Sequence, residues 1–146
     1  MDYSERREKL FECLNKGERL NESLLSQYAH HSNEFQTLVD NCIERQGLKR
    51  SFVIKEAILT PSYGYKILNG QKKTKDRDVI LRLLIAMKMP IDEVQRALQS
   101  YGLPILDSNS LRDDIIISGI EHQEPLDKIE RFLSQTGMTE PLVKLD

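Results

Sequence analysis

Cysteine is scarce: Cys13 and Cys42 are the two in 146 residues, and they form no metal-binding or redox spacing. A disulfide framework is therefore excluded as the source of stability. Cys42 falls on an apolar helical stripe and reads as a buried free thiol. Long apolar runs are also missing, and none approaches the roughly 20 residues of a membrane-spanning helix. The first residues carry Glu5, Glu8 and Glu12 where a secretory leader would have an apolar stretch, so a cytoplasmic location is expected. No P-loop, no GxGxxG and no Ser/His/Asp or Cys/His grouping is legible. His30 and His31 are adjacent, which turns them in different directions on a helix and gives no zinc spacing. Asp107, Asp113 and Asp114 read as helix-start residues rather than a magnesium site. The expectation is a non-enzyme without metal or cofactor. Strand-like alternation of any length is absent too, so the fold class is all-α.

What remains is a chain of 39% hydrophobic and 30% charged residues, long enough to bury a core. Helical periodicity recurs throughout. Residues 3–14 place Leu10, Phe11 and Leu14 on one face, and 18–31 place Leu20, Leu24, Leu25 and Tyr28 on another. Phe35, Leu38, Val39, Cys42 and Ile43 follow the i, i+3, i+4, i+7, i+8 rule. Val79, Ile80, Leu83, Leu84 and Met87 mark a longer helix, and Val94, Ala97 and Leu98 the inner face of the next, which Gly102 ends. Ser110 with Asp113 resembles a capping box. It opens a helix rich in isoleucine (Ile115, Ile116, Ile117, Ile120), and Leu126, Ile129 and Leu133 stripe a last one. This organisation divides into an N-terminal helical arm (1–33), a helical core (34–102) and a C-terminal helical hairpin (103–146).

Residues 47–87 are the most informative. Thr60 suits a helix N-cap, Pro61 the first helical position, and Gly70 a left-handed helix end. Two short helices with a few residues between them result, followed by Lys72-Lys73-Thr74-Lys75. The net charge of −2 hides an asymmetry: Lys49 to Arg77 holds eight cations and two anions, a balance of +6, whereas Asp78 to Asp146 sums to −5. Screening over about 8–10 Å lets such a local field survive an acidic total.

The pattern resembles the phage-repressor-like (Xre) helix-turn-helix family over about residues 34–101. Gly47-Leu48 matches the family's G-L-[ST], Val53-Ile54 stands for L-A, and Ile58-Leu59-Thr60 for G-V-S. Tyr63 to Asn69 holds the recognition-helix position, closed by Gly70, and Val79-Ile80-Leu83-Leu84 fills the next helix. The resemblance implies a lambda-repressor-like five-helix helix-turn-helix core with extra helices at both ends. Three departures stand out. Ile58 replaces the turn glycine, Ile54 is bulkier than the small residue usual there, and Gly64 sits inside the recognition helix.

If the family geometry holds, Ser62, Tyr63 and Lys66 reach base edges in the major groove of duplex DNA. Lys49, Arg50, Tyr65, Gln71, Lys72, Lys73 and Lys75 are then candidates for the phosphate backbone or groove edge. Tyr63 is equally suited to packing on the preceding helix, and Gly64 to a close helix–helix approach. The function implied is a sequence-specific transcriptional regulator of bacterial or phage type, acting by operator occupancy. The hairpin's isoleucines need cover, from the helical core or from a second copy, and because one recognition helix binds modestly a homodimer through the C-terminal helices is expected. The alternative is a protein-interaction adaptor that keeps the fold without DNA readout, using the terminal helices.

Overall fold

A computed structural model describes residues 3–25, 34–137 and 139–144. Tyr28, His30, His31 and Met138 lie outside the described residues. Helices and their connections account for the described residues, with no strand among them, so the protein is all-α there. The chain divides into two compact units, Met1–Glu34 and Phe35–Asp146.

The first unit holds helix α1 (Tyr3–Asn15), which buries none of its residues. Leu10 is half-buried, whereas Phe11 and Leu14 remain 66% and 60% exposed. The helix expected from residue 18 begins at residue 22 instead. Asn21 is the reason: its Oδ1 accepts from the Leu24 amide at 2.8 Å, the geometry of an N-cap.

In the chain that follows, α2 (Glu34–Gln46) buries Phe35, Leu38, Val39, Cys42 and Ile43, the five stripe residues. Helices α3 (Arg50–Glu56) and α4 (Pro61–Leu68) come next, joined by a turn at residues 57–60 and packed against each other. Helix α5 (Arg77–Ala86) is the axis of the second unit. Every residue from Asp78 to Ala86 is buried, and the helix packs against α3, α6 (Ile91–Tyr101) and α8 (Leu126–Gln135). Its start is fixed by Asp76, whose carboxylate accepts from the Asp78 amide at 3.0 Å. Gly102 ends α6 at φ 89°, the left-handed conformation the sequence anticipates.

Residues 103–144 are built into the same unit. Gln95 and Leu106 exchange two hydrogen bonds (2.9 and 2.8 Å), which dock the connector on α6. Helix α7 (Leu111–Glu121) starts at Ser110, whose hydroxyl accepts from the Asp113 amide at 3.3 Å. The expected capping box is half made, because the Asp113 carboxylate turns to Arg77 (2.6 and 3.1 Å) and to the Asp107 amide (2.9 Å). A second, crossed pair runs from Arg112 to both oxygens of Asp78 (3.1 and 3.0 Å). Two bidentate arginine–carboxylate pairs thus fasten the start of α7 to the start of α5. Helices α7 and α8 approach closely at Gly119, where an added Cβ would lie 2.5 Å from Ile129.

Ile116, Ile117, Ile120, Ile129 and Leu133 are all buried within this one chain. Of the two sources of cover the sequence leaves open, the helical core or a second copy, the same unit of this chain supplies it. Packing between α7 and α8, and of α8 on α5, covers them.

Candidate nucleic-acid interface

The geometry of the α3–α4 pair begins with its turn. Ala57 is buried, and Ile58 takes φ 57° with its side chain 58% exposed. A left-handed residue other than glycine costs about 1–2 kcal/mol. Arg82 holds the turn from below. Its Nε donates to the Ala57 carbonyl at 2.9 Å and its Nη2 to the Ile58 carbonyl. The Arg82 side chain comes up from α5 and is 8% exposed, and burial pushes its pKa below the ordinary guanidinium value. Asp76, Glu130 and Asp78 act in the opposite direction on it without displacing the turn carbonyls as its hydrogen-bond partners. A guanidinium at the end of α3 also meets the helix's partial negative charge.

Sequence reasoning missed Arg82. The available signal was a single cation inside the apolar run Val79–Met87, at a position with hydrophobic residues on every side.

The way α3 and α4 cross rests on an exchange of sizes. A Cβ at Gly64 would lie 2.4 Å from Ile54 Cγ2 and 2.8 Å from Cγ1. Gly64 is therefore the close helix–helix approach allowed for it, and the bulk of Ile54 fills the space. Two departures from the family pattern are one compensated contact. Thr60 occupies the N-cap of α4 with extended backbone, but its hydroxyl makes no capping bond. Gln36 serves the other end, donating from Nε2 to the Leu68 carbonyl at 2.5 Å.

Helix α4 turns Gly64, Ile67 and Leu68 inward and leaves Pro61, Ser62, Tyr65, Lys66 and Asn69 exposed. Ser62 and Lys66, two expected base contacts, therefore lie on the outer face. Tyr63, the third, is half-buried and packs against the core, with the Lys72 ammonium 5.2 Å from its ring centroid. Of the expected backbone contacts, Lys49, Tyr65, Gln71, Lys72, Lys73 and Lys75 are exposed. Arg50 is engaged: it pairs with Asp40 of α2, whose carboxylate also accepts from Gln36 at 3.1 Å. Arg77, counted in the basic balance, is likewise spent on Asp113.

The lysine-rich link after α4 is held in place. The Thr74 amide donates to Tyr101 Oη at 3.0 Å, and Lys73 stands 5.8 Å from the Tyr101 ring centroid. Phe35 packs edge-on against Tyr101 with centroids 4.6 Å apart. Burial raises the Tyr101 pKa above the ordinary value, so the phenol stays neutral and available at physiological pH. From Ala57 to Lys75 the chain has no carboxylate and four lysines. Comparison with protein-family models, curated proteins and solved structures found no match.

The remaining polar clusters have their own partners. Asp113 is taken by Arg77, and Asp107 accepts from the Asn109 amide at 2.9 Å. Among the described residues no group of three His, Cys, Asp or Glu is placed to hold a metal ion. No helix among them is long and apolar enough to cross a membrane.

Proposed function

We propose that this chain is a sequence-specific duplex DNA-binding regulator built on a lambda-repressor-like helix-turn-helix core. The observation that carries the reading is the acid-free segment from Ala57 to Lys75. Its outer face combines Ser62, Tyr65 and Lys66 on α4 with the anchored lysines of the following link. In this reading α4 enters the major groove by its N-terminus, Ser62 and Lys66 meet base edges, and Lys66 pairs with guanine O6 and N7. Lys49, Gln71, Lys72, Lys73 and Lys75 contact the sugar-phosphate backbone and set the register. Arg50 and Tyr63 act from behind, Arg50 by joining α3 to α2 and Tyr63 by supporting Lys72. Arg82 keeps the turn in the shape that presents α4.

Operator occupancy by two copies follows from the modest affinity of one recognition helix, with half-sites about one helical turn apart. Because the hairpin isoleucines are covered in cis, a dimer through the C-terminal segment would use its exposed apolar residues, Ile105 and Leu111. The protein-interaction alternative draws on α1, which exposes Phe11 and Leu14. Salt separates the two readings. Binding through about four to six phosphates weakens steeply and log-linearly with salt, whereas apolar docking does not. The test is fluorescence-anisotropy binding to duplex pools before and after selection, across a salt series. Enrichment of a two-fold symmetric site with a steep slope is expected. Weak background without enrichment would reject DNA readout.

A further inference from the structure

The outer face of α4 is divided. Ser62, Lys66 and Asn69 form a polar half. Pro61 and Tyr65 form an apolar half, and both line an open groove with Ile58 and Leu59 of the turn and Lys55 of α3. Ile58 is the informative member. A glycine there would adopt φ 57° without strain, yet the position holds a β-branched residue whose side chain is mostly solvent-exposed. Most of its apolar surface lies outside the core, where it is available to an external partner.

The groove is continuous with the base-reading face proposed above, and this inference rests on that reading. Lysines flank it: Lys55 lines it, and Lys66 follows Tyr65 on the exposed side of α4. A polyanion is thereby favoured as the neighbour of an apolar slot. The apolar group that a duplex presents in its major groove is the thymine C5-methyl.

We propose that Pro61, Tyr65 and Ile58 read thymine methyl groups, making them specificity-determining residues beside the hydrogen-bonding pair Ser62 and Lys66. The preferred half-site then carries thymine against the N-terminal half of α4 and guanine against Lys66. No proton transfer or covalent step is involved, and discrimination comes from burying a methyl group between three apolar side chains.

The full chain and its selected duplex test this directly. Each thymine is replaced singly by deoxyuridine, which removes the methyl and leaves base pairing unchanged. Affinity should fall about fourfold at one or two positions, the loss for one buried methyl group. Tyr65→Ser and Ile58→Gly should each bind the thymine duplex more weakly and respond less to deoxyuridine. Ile58→Gly also relieves the backbone, so lost discrimination in that variant cannot be attributed to failed folding. Steep salt-dependent binding with no deoxyuridine effect at any position would overturn the inference while leaving DNA readout intact. Methyl sensitivity that both variants retain in full would overturn the residue assignment. Absence of any selected duplex would remove the DNA reading and this inference together.

Discussion

Replacing Gly64 by alanine should destabilise the protein, against the ordinary expectation for a glycine inside a helix. In an open helix that change gains about 1 kcal/mol. Here the new Cβ would meet Ile54 at 2.4 and 2.8 Å, more than 0.5 Å inside the ordinary carbon–carbon separation of about 3.5–4.0 Å. Ile54 is 1% exposed and cannot swing into solvent. Overpacking of this kind costs about 1–3 kcal/mol, and an overlap this deep belongs at the upper end. Subtracting the helix gain leaves a net loss of about 2 kcal/mol. With a urea slope of about 2 kcal/mol/M, the midpoint followed by far-ultraviolet circular dichroism should fall by about 1 M. Ile54→Ala alone should cost about 2–5 kcal/mol through the cavity it leaves. The double variant should lose less than the two single losses added, with a coupling of about 1–3 kcal/mol, because the methyl group added by Gly64→Ala fills part of that cavity. A Gly64→Ala midpoint at or above wild type would overturn this account of the contact, and so would strict additivity.

Three further outcomes follow from the same geometry. Lys66→Ala with Lys72→Ala should abolish selective duplex binding and reduce the salt slope by about 1–2, measured by anisotropy, with the urea midpoint nearly unchanged. Arg112→Ala should cost about 3 kcal/mol by urea unfolding, since it leaves Asp78 largely buried without its bidentate partner. Stability should also decline with rising pH above about 9, because the buried Cys42 thiol has a pKa raised from 9.0, chiefly by desolvation. The unfolded thiol ionises first, so its contribution is complete below that value and is lost as pH climbs through the folded value. Tyr101, raised from 10.0, extends the decline upward. Urea midpoints at pH 7, 9 and 10.5 for wild type and Cys42→Ala should diverge in slope. Parallel profiles would sink the assignment to Cys42.

Much of the helical layout was legible because it is local. The stripe of α2, the stop at Gly102 and the break after Leu68 each depend on residues a few positions apart, the range over which periodicity and capping act. Features that join distant segments were not legible. Arg50 reads as a free cation until Asp40, on another helix, is brought beside it. Tyr65, by contrast, is legible as exposed, because on a helix it falls opposite Ile67 and Leu68, whereas Tyr63 suits either packing or a base contact until α4 is seen against its neighbours. The C-terminal isoleucines call for cover, but α7 is apolar around most of its girth, so its pattern does not say whether the core or a second copy supplies it. The start of the second N-terminal helix was misjudged by ignoring Asn21, although a cap residue stood in view. Gly64 and Ile54 appeared as two separate oddities, and only their contact makes them one.

The crossed ion pairs between the starts of α5 and α7 bear on how the gene could be cut. The helix-turn-helix resemblance of the sequence reaches only to about Tyr101, and a shortened protein ending at Gly102 would be the obvious minimal fragment. Such a fragment would strip Arg77 and Asp78 of their partners at once and leave two opposite charges on a helix with no polar face. It would also open Ile85 and Met89, which share a crevice with Ile120, to water. Residues 103–144 are therefore not a module that recombination could trade for another, as tethered effector domains can be. Inheritance of residues 35–102 and of the C-terminal segment is tied, and the smallest portable piece extends to Val143.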